Sequence, residues 1–337
     1  MSKYVEELVN KWADEDTSKN CLEQRSRLRE TLHMLNFLEL RSYSQYEPTR
    51  PPNASYWQRM EKWLKSAEKS PADQRLMFEL ASHLFFVGAP EIEALHKAAY
   101  AGPIMRWLIQ QGGLSIRAQT LSQSLTVLVS KTWFCPITDS MVINEFVHLN
   151  AIQNGINYRP DFFTLAKMNA ISEIQKIVDE NGIERLVLLE DFIGTGSQAK
   201  TAIQFASNLV SRTSKLPILV VPLILCETHR SHFCAANFKA NVTLSPLLML
   251  SRKNFVNESP AENIGQFKSF RDLAQRTFAT VTDGLHSSRA QKPYHYLGYG
   301  KTGGLIVLKS NTPDNTLPLV HWSSNSWAAL FPRHPRI

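Results

Sequence analysis

Two adjacent acids and a loop of glycines and hydroxyls carry the most chemistry in this sequence. They stand in the run Leu186-Val187-Leu188-Leu189-Glu190-Asp191-Phe192-Ile193-Gly194-Thr195-Gly196-Ser197. Four apolar residues closing on acids read as a buried parallel strand with carboxylates at its end. Ligands of open α/β sheets collect outside the carboxyl ends of strands. Neighbouring carboxylates there repel each other and lose solvation. That cost makes sense if Glu190 and Asp191 accept hydrogen bonds from vicinal sugar hydroxyls or face a divalent metal. Ile193 leads into the loop, where Gly194 and Gly196 let the backbone approach an anion closely. The helix expected from Gly196 offers unpaired N–H groups and the positive end of its dipole. Thr195 and Ser197 add hydroxyl donors. Sugar acceptors therefore lie one short turn from a phosphate nest, which suits one molecule carrying both a diol and a phosphate.

Competing readings of the same run are weaker on physical grounds. Gly194-Thr195-Gly196-Ser197-Gln198-Ala199 also fits a dinucleotide-binding fingerprint. That fingerprint normally starts directly after the strand and has an acid about twenty residues on. Here an acid pair intervenes, and no acid lies between residues 198 and 226. A Walker A loop is excluded, because no Gly-Lys-Ser or Gly-Lys-Thr follows at the needed spacing. Glycines serving turn geometry alone would leave a buried acid pair without purpose.

Other candidates surround this segment. Pro136-Ile137-Thr138-Asp139-Ser140 follows a strand ending at Cys135 and precedes a helix. Thr138, Asp139 and Ser140 sit where a helix start meets an anion or its magnesium; a plain N-cap is the rival reading. Glu227-Thr228-His229-Arg230 ends the strand Ile218 to Cys226. Arg230 is placed to clamp a phosphate and His229 to exchange protons, with simple surface exposure as the alternative. His148, closing a helix, reads as a core or dipole partner before it reads as catalytic.

The elements that must position these residues fall into two textures. Residues 1–115 read as a helical region and 116–337 as an α/β domain. Val5, Leu8, Val9 and Trp12 recur at helical spacing, as do Leu28, Leu32 and Leu35, and then Trp57, Met60, Trp63 and Leu64. Ser70-Pro71-Ala72-Asp73 is a helix start, with Ser70 as cap, Pro71 in the first turn and Asp73 on the dipole. That helix is expected to run to Val87. The next is expected to begin near Pro90 and break at Gly102-Pro103. Beyond Gly112-Gly113 strands and helices alternate: a strand at 132–135, helices at 141–152 and 162–179, a strand at 186–189, a helix at 196–212 and a strand at 218–226. Val242 to Leu250, a helix at 264–280 and a strand at 304–309 follow. Strand–helix–strand repeats of these lengths specify a parallel sheet with crossover helices.

Composition sets the outer limits. The chain has 337 residues, is 43% hydrophobic and 20% charged, enough for a substantial core and unlike a disordered chain. No apolar run reaches membrane-spanning length, and the charged, amphipathic N-terminus is unlike a secretory signal. A soluble, cytoplasmic protein with no membrane association is the expectation. Cys21, Cys135, Cys226 and Cys234 are widely separated and read as reduced, mostly buried thiols rather than a zinc site. A net charge of +7 favours anionic partners. Its modest clusters, Arg25-Ser26-Arg27-Leu28-Arg29 and Arg333-His334-Pro335-Arg336, read as solvated faces, because no nucleic-acid motif accompanies them.

The run from Leu186 to Ser197 resembles the PRPP-binding motif of type I phosphoribosyltransferases. Glu190 and Asp191 match its acidic pair, Phe192 to Gly194 its variable positions, and Thr195, Gly196 and Ser197 its phosphate loop. More of the chain, roughly residues 55 to 330, is similar to the phosphoribosyltransferase-like domains of bacterial conflict systems. There Thr138-Asp139-Ser140, Glu190 to Ser197 and Asn311-Thr312-Pro313-Asp314-Asn315-Thr316-Leu317-Pro318 have counterparts. The resemblance implies an α/β fold with a parallel sheet of the type I phosphoribosyltransferase kind and an N-terminal helical region. It implies a ligand that is PRPP or a phosphoribosylated nucleotide, held at the ribose by Glu190 and Asp191 and at the 5-phosphate by Ile193 to Ser197. Thr138, Asp139, Ser140 and Arg230 would meet pyrophosphate, and Mg²⁺ would bind at Asp191. Antiphage defence is the implied setting, including retron loci with a reverse transcriptase and its RNA–DNA as partner; self-association is compatible with it. Two further readings stay open: a non-catalytic nucleotide sensor, and a nucleic-acid-binding scaffold of a defence complex. Whether the chain is an enzyme is left undecided by the residues, since none of them stands out as a general base.

Overall fold

The computed structural model describes every residue except 19–21, 50–53, 153–161, 212–213, 228–232, 234–237, 285–294 and 335–337. Helices α1 (Lys3–Ser18), α2 (Leu22–Arg41), α3 (Tyr56–Lys65) and α4 (Pro71–Ala81) open the chain, followed by strand β1 (Phe85–Val87) and helices α5 (Ala89–Ala99), α6 (Met105–Gln111) and α7 (Leu121–Ser130). Next come β2 (Thr132–Pro136), α8 (Ile143–Leu149), α9 (Phe162–Lys167), α10 (Ile171–Glu180), β3 (Arg185–Ile193) and α11 (Ser197–Ala206). The strands β4 (Val210–Ser211), β5 (Ser214–Lys215), β6 (Ile218–Cys226), β7 (Val242–Leu244) and β8 (Leu248–Leu250) precede α12 (Phe267–Val281), β9 (Ile306–Leu308) and α13 (Pro318–His321). Among the described residues no helix is long and apolar enough to cross a membrane.

Two compact units result: residues 1–89 together with 252–337, and residues 90–251. This division differs from the 115/116 boundary expected from sequence texture. The helices α5 and α6 belong with the α/β elements, where Tyr100 packs on Phe134 and Phe146. The last quarter of the chain returns to the N-terminal helices.

Residues 90–251 are built on a parallel sheet of order β2-β3-β6-β7, with β8 beside the later half of β6. The long apolar runs explain it. Every residue of β6 is buried, as are Leu186 to Leu189 of β3, and such strands need cover on both faces. Leu186, Leu188, Ile218 and Val220 pack in one core with Phe162, Ile174, Val178 and Ile203 of α9, α10 and α11. The helix expected over 162–179 is interrupted between α9 and α10, with Asn169 at a φ of 54°, a left-handed conformation that asparagine tolerates. At Gly102-Pro103 the backbone does not break. It passes through a π-helical turn, Tyr100–Ile104, which absorbs the missing N–H of Pro103 between α5 and α6. The helix after Gly196 stops at Ala206 rather than 212, and the stretch from 242 to 250 is two short strands.

In residues 1–89 and 252–337, the apolar stripes read from sequence converge. Val5, Val9 and Trp12, Leu28, Leu32 and Leu35, and Trp57, Met60, Trp63 and Leu64 share one core with Phe78, Phe270 and Phe331. Ser70 caps α4 by accepting from the Asp73 N–H. That helix ends at Ala81, not Val87. The β-prone Phe85-Phe86-Val87 instead pairs in parallel with Ile306-Val307-Leu308. The polar turn Asn311 to Pro318 is a buried clasp of this unit. Thr312 Oγ1 meets the Tyr46 hydroxyl at 2.9 Å, Asn315 donates to Thr302 at 2.9 Å, and Thr316 donates to the Ile306 carbonyl at 2.6 Å.

Candidate functional site

The site is set by where two neighbouring strands stop. On one side β3 keeps pairing with β6 as far as Ile193, opposite Leu225. On the other, its pairing with β2 ends at Pro136 opposite Leu189. Glu190 and Asp191 thus lie within β3 rather than beyond it, at the point where one neighbour has run out. One last ladder bond, from the Ile137 N–H to the Leu189 carbonyl at 2.8 Å, follows. The chain then turns, and the next N–H, that of Thr138, donates to Glu190 Oε2 at 2.9 Å.

The two predicted segments are therefore in contact. The Thr138 hydroxyl and Glu190 Oε1 are 2.6 Å apart, and the Ser140 hydroxyl lies 3.2 Å from the same oxygen and 2.9 Å from Asp191 Oδ1. Thr138 Oγ1 and Ser140 Oγ are 2.8 Å apart. Asp191 Oδ1 also accepts from the Phe192 N–H at 2.7 Å. Asp139 is exposed. Glu190 is only 4% exposed, whereas Asp191 is half-buried. These donors are what make a buried carboxyl tolerable.

Burial first, and the Asp191 charge second, push the Glu190 carboxyl up to about 8, against the opposing pull of the Thr138 and Ser140 hydrogen bonds. A proton count gives the same answer. Four oxygen–oxygen contacts join Glu190, Thr138, Ser140 and Asp191. Each hydroxyl has one proton to give, so two ionised carboxyls leave two of the four contacts without a proton. With a proton on Glu190 Oε1, a continuous chain forms: the acid donates to Thr138, Thr138 to Ser140, and Ser140 to Asp191. Neutral Glu190 beside ionised Asp191 is the state this geometry fits.

The loop after the acids is shaped for close approach. Gly196 has φ +79° as N-cap of α11, a conformation that disfavours side chains. A Cβ there would stand 2.7 Å from Cδ2 of the Phe233 ring. Glycine is required at 196 on both counts. Thr195 Oγ1 and Ser197 Oγ are 3.3 Å apart at the helix start, both beside the first-turn N–H groups that have no intrahelical acceptor. Ile193 is buried under this turn and belongs to the core. The arrangement offers an anion backbone N–H groups, two hydroxyls and a helix dipole, beginning at Thr195, a few residues past the Asp191 carboxylate.

Of the remaining expectations, His229 and Arg230 lie outside the described residues. His148 is exposed in the last turn of α8. Cys135 and Cys226 are buried free thiols, and burial pushes the Cys226 thiol up; Cys21 and Cys234 lie outside the described residues. No group of three or more His, Cys, Asp or Glu side chains able to hold a metal occurs among the described residues. A magnesium ion held mainly by a ligand's phosphates needs only one or two protein carboxylates, and Asp191 fits that smaller demand. Sequence reasoning missed Phe233, which closes over Gly196 from a distant loop and leaves no local pattern. It also missed that β2 stops at Pro136, one ladder bond before the chain turns into the loop that grips Glu190.

No curated protein and no solved structure matched the chain. A family model did: PRTase-CE, over residues 60–333. With a parallel sheet, an acid pair at a strand end and a glycine–hydroxyl loop opening the next helix, this phosphoribosyltransferase-like chain belongs to the PRTase-CE family.

Proposed function

We propose that the chain binds PRPP or a phosphoribosylated nucleotide and acts at the anomeric carbon of its ribose. The observation that carries this reading is the run from Asp191 to Ser197, in which a half-buried carboxylate is followed within one turn by a left-handed glycine at a helix N-terminus. A diol acceptor and a phosphate cradle at that separation fit the two ends of a ribose 5-phosphate. The acid pair would hold the ribose hydroxyls, the ionised Asp191 would stabilise the positive charge that develops on the ring as the leaving group departs, and the phosphate loop would supply orientation. Magnesium, carried in on pyrophosphate and met by Asp191, would neutralise the leaving group. The wider likeness to conflict-system domains supports an effector role in an antiphage defence locus, with a reverse transcriptase and its RNA–DNA as partner in retron settings.

Titration calorimetry with PRPP and with nucleotides, with and without Mg²⁺, tests the ligand. Wild type is expected to bind a phosphoribosyl ligand and the Glu190→Ala/Asp191→Ala protein to lose it; absence of binding by wild type refutes the proposal. Release of pyrophosphate or free base from bound ligand separates a transferase or hydrolase from a sensor that binds without turnover. Phage plating on cells carrying the intact locus tests the setting, where the same double substitution is expected to abolish protection.

A further inference from the structure

The hydrogen bonds around Thr138 and Ser140 divide the labour of the acid pair. Both polar groups of Thr138, its N–H and its hydroxyl, end on Glu190, one on each carboxyl oxygen. Thr138 is 5% exposed and Glu190 4%. To accept two sugar hydroxyls, Glu190 would have to abandon the loop that surrounds it. Asp191 is differently placed. It is half-buried, and its Oδ1 is fixed from two directions, by the Ser140 hydroxyl at 2.9 Å and the Phe192 N–H at 2.7 Å. Two bonds on one oxygen set the plane of a carboxylate.

We infer that Thr138 and Ser140 are positioning residues: Thr138 grips Glu190 as a strut between the loop and β3, Ser140 aims Asp191, and Asp191 is the carboxylate that meets the sugar. The inference rests on the ribose-phosphate reading above and sharpens it, since that reading treats both acids as ligand contacts and Thr138 and Ser140 as pyrophosphate contacts. The strut exists because β2 ends at Pro136. From that point the chain turns, and the Glu190 side chain is the acceptor for the Thr138 N–H. The Ser140 hydroxyl, shared by both acids, links the strut to the contact residue.

The test uses the full chain, with PRPP plus Mg²⁺ as probe in calorimetry, and amide hydrogen exchange of residues 137–140 without ligand. Removing an orienting hydrogen bond through Thr138→Val or Ser140→Ala is expected to weaken PRPP binding about 10-fold. Thr138→Ser, which keeps the hydroxyl, is expected to restore it to within about 2-fold of wild type. Glu190→Gln, which can still bond Thr138 on both sides, is expected to bind within about 3-fold of wild type, and Asp191→Asn about 100-fold more weakly. In the unliganded protein, Glu190→Ala is expected to speed exchange across 137–140 and Glu190→Gln to leave it unchanged. Glu190→Gln losing as much affinity as Asp191→Asn would overturn the division of labour. So would Thr138→Val binding like wild type. If wild type binds no PRPP, the ribose-phosphate reading falls, and exchange alone judges the strut: unchanged exchange in Glu190→Ala rejects it, and faster exchange upholds it.

Discussion

Replacing Glu190 by glutamine should stabilise the protein in alkali and do nothing in acid. The carboxyl is buried and bonded in the native state, where burial and the neighbouring Asp191 raise it from 4.5 to about 8. An unfolded chain ionises the same group near its ordinary value. Below that value both states hold the proton, and Glu190 contributes no pH dependence. As pH rises through the window, the unfolded state sheds a proton that the native state keeps, so stability falls with rising pH. The slope cannot exceed about 1.4 kcal/mol per pH unit, which over the whole window sets a ceiling of about 5 kcal/mol. Water entry and side-chain relaxation around an ionising buried group take up part of that, leaving about 2 kcal/mol as the expected effect. Glutamine carries no titrating proton. Its carbonyl can accept from the Thr138 N–H and its amide can donate to Thr138 Oγ1, reproducing the neutral acid.

The assay is thermal unfolding of wild type and Glu190→Gln in matched buffers from pH 4.5 to 9. Taking the difference between the two cancels every other titrating group. The difference should be near zero at pH 5 and grow to about 5 °C in favour of the variant by pH 8.5, at about 2–4 °C per kcal/mol. Asp191→Asn in the wild-type background removes the second cause of the shift, so its alkaline loss should begin at the same pH, end at a lower one and be smaller in total. Parallel curves for wild type and Glu190→Gln would refute the reasoning. So would a variant that is less stable at every pH, since that would mean Glu190 is ionised and its charge is used.

Gly196→Ala forces a side chain into a left-handed residue and against the Phe233 ring; a loss of about 2 kcal/mol in chemical unfolding is expected, and an unchanged midpoint would show that the loop relaxes freely. Trp63 is fully buried and donates to the Leu319 carbonyl at 2.7 Å. Trp63→Phe should cost about 2 kcal/mol, read as a lower urea midpoint at constant slope, while Trp327 still holds that carbonyl at 2.9 Å. Burial, then the Arg333 charge, push His321 down from 6.5 to about 3. Its native state refuses a proton that the unfolded chain accepts, so stability is lost as pH falls through that window; His321→Gln should flatten the acid limb of the melting curve, and an unaltered limb would count against it.

What the sequence made legible follows from how local each signal is. The run Leu186 to Ser197 could be read because strand, acids, glycines and hydroxyls sit in consecutive positions, and each constrains the others. The Ser70 cap and the stripes of α1, α2 and α3 were legible for the same reason: their periodicity lies inside one element. Phe85-Phe86-Val87 was misread as helix because what makes it a strand is Ile306 to Leu308, more than two hundred residues on. The same non-local pairing draws the last quarter of the chain to the first, which no change of texture at residue 115 announces. Thr138 and Ser140 stand out in the sequence as the start of a helix after a strand, and the structure brings both against Glu190. Their partners could not be read, because contact with Glu190 depends on the register of β2 against β3 and on which strand ends first.

That difference in strand length bears on why the pair is two acids rather than one. Where parallel strands end together, the last carbonyls and N–H groups face solvent or a ligand, and one acid suffices to present a charge. Here β3 outruns β2, so the chain that turns away after Ile137 leaves the ladder while β3 still runs on, and the Thr138 N–H meets a side chain of β3. Glu190 supplies the acceptor and, being longer than aspartate by one methylene, spans the gap that the turn opens. The carboxyl is then too enclosed to serve a ligand without unpairing Thr138, and the next residue takes the exposed role. An aspartate suits that place, since its short side chain is fixed by its own neighbour's N–H and loses little rotamer freedom when a ligand docks. Exchanging the two, Glu190→Asp with Asp191→Glu, keeps the charge and composition of the pair. It should nonetheless cost both loop order and ligand affinity, measured by hydrogen exchange at residues 137–140 and by PRPP titration. Equal behaviour of the swapped and native proteins would show that only the number of carboxylates matters, not their order along the strand.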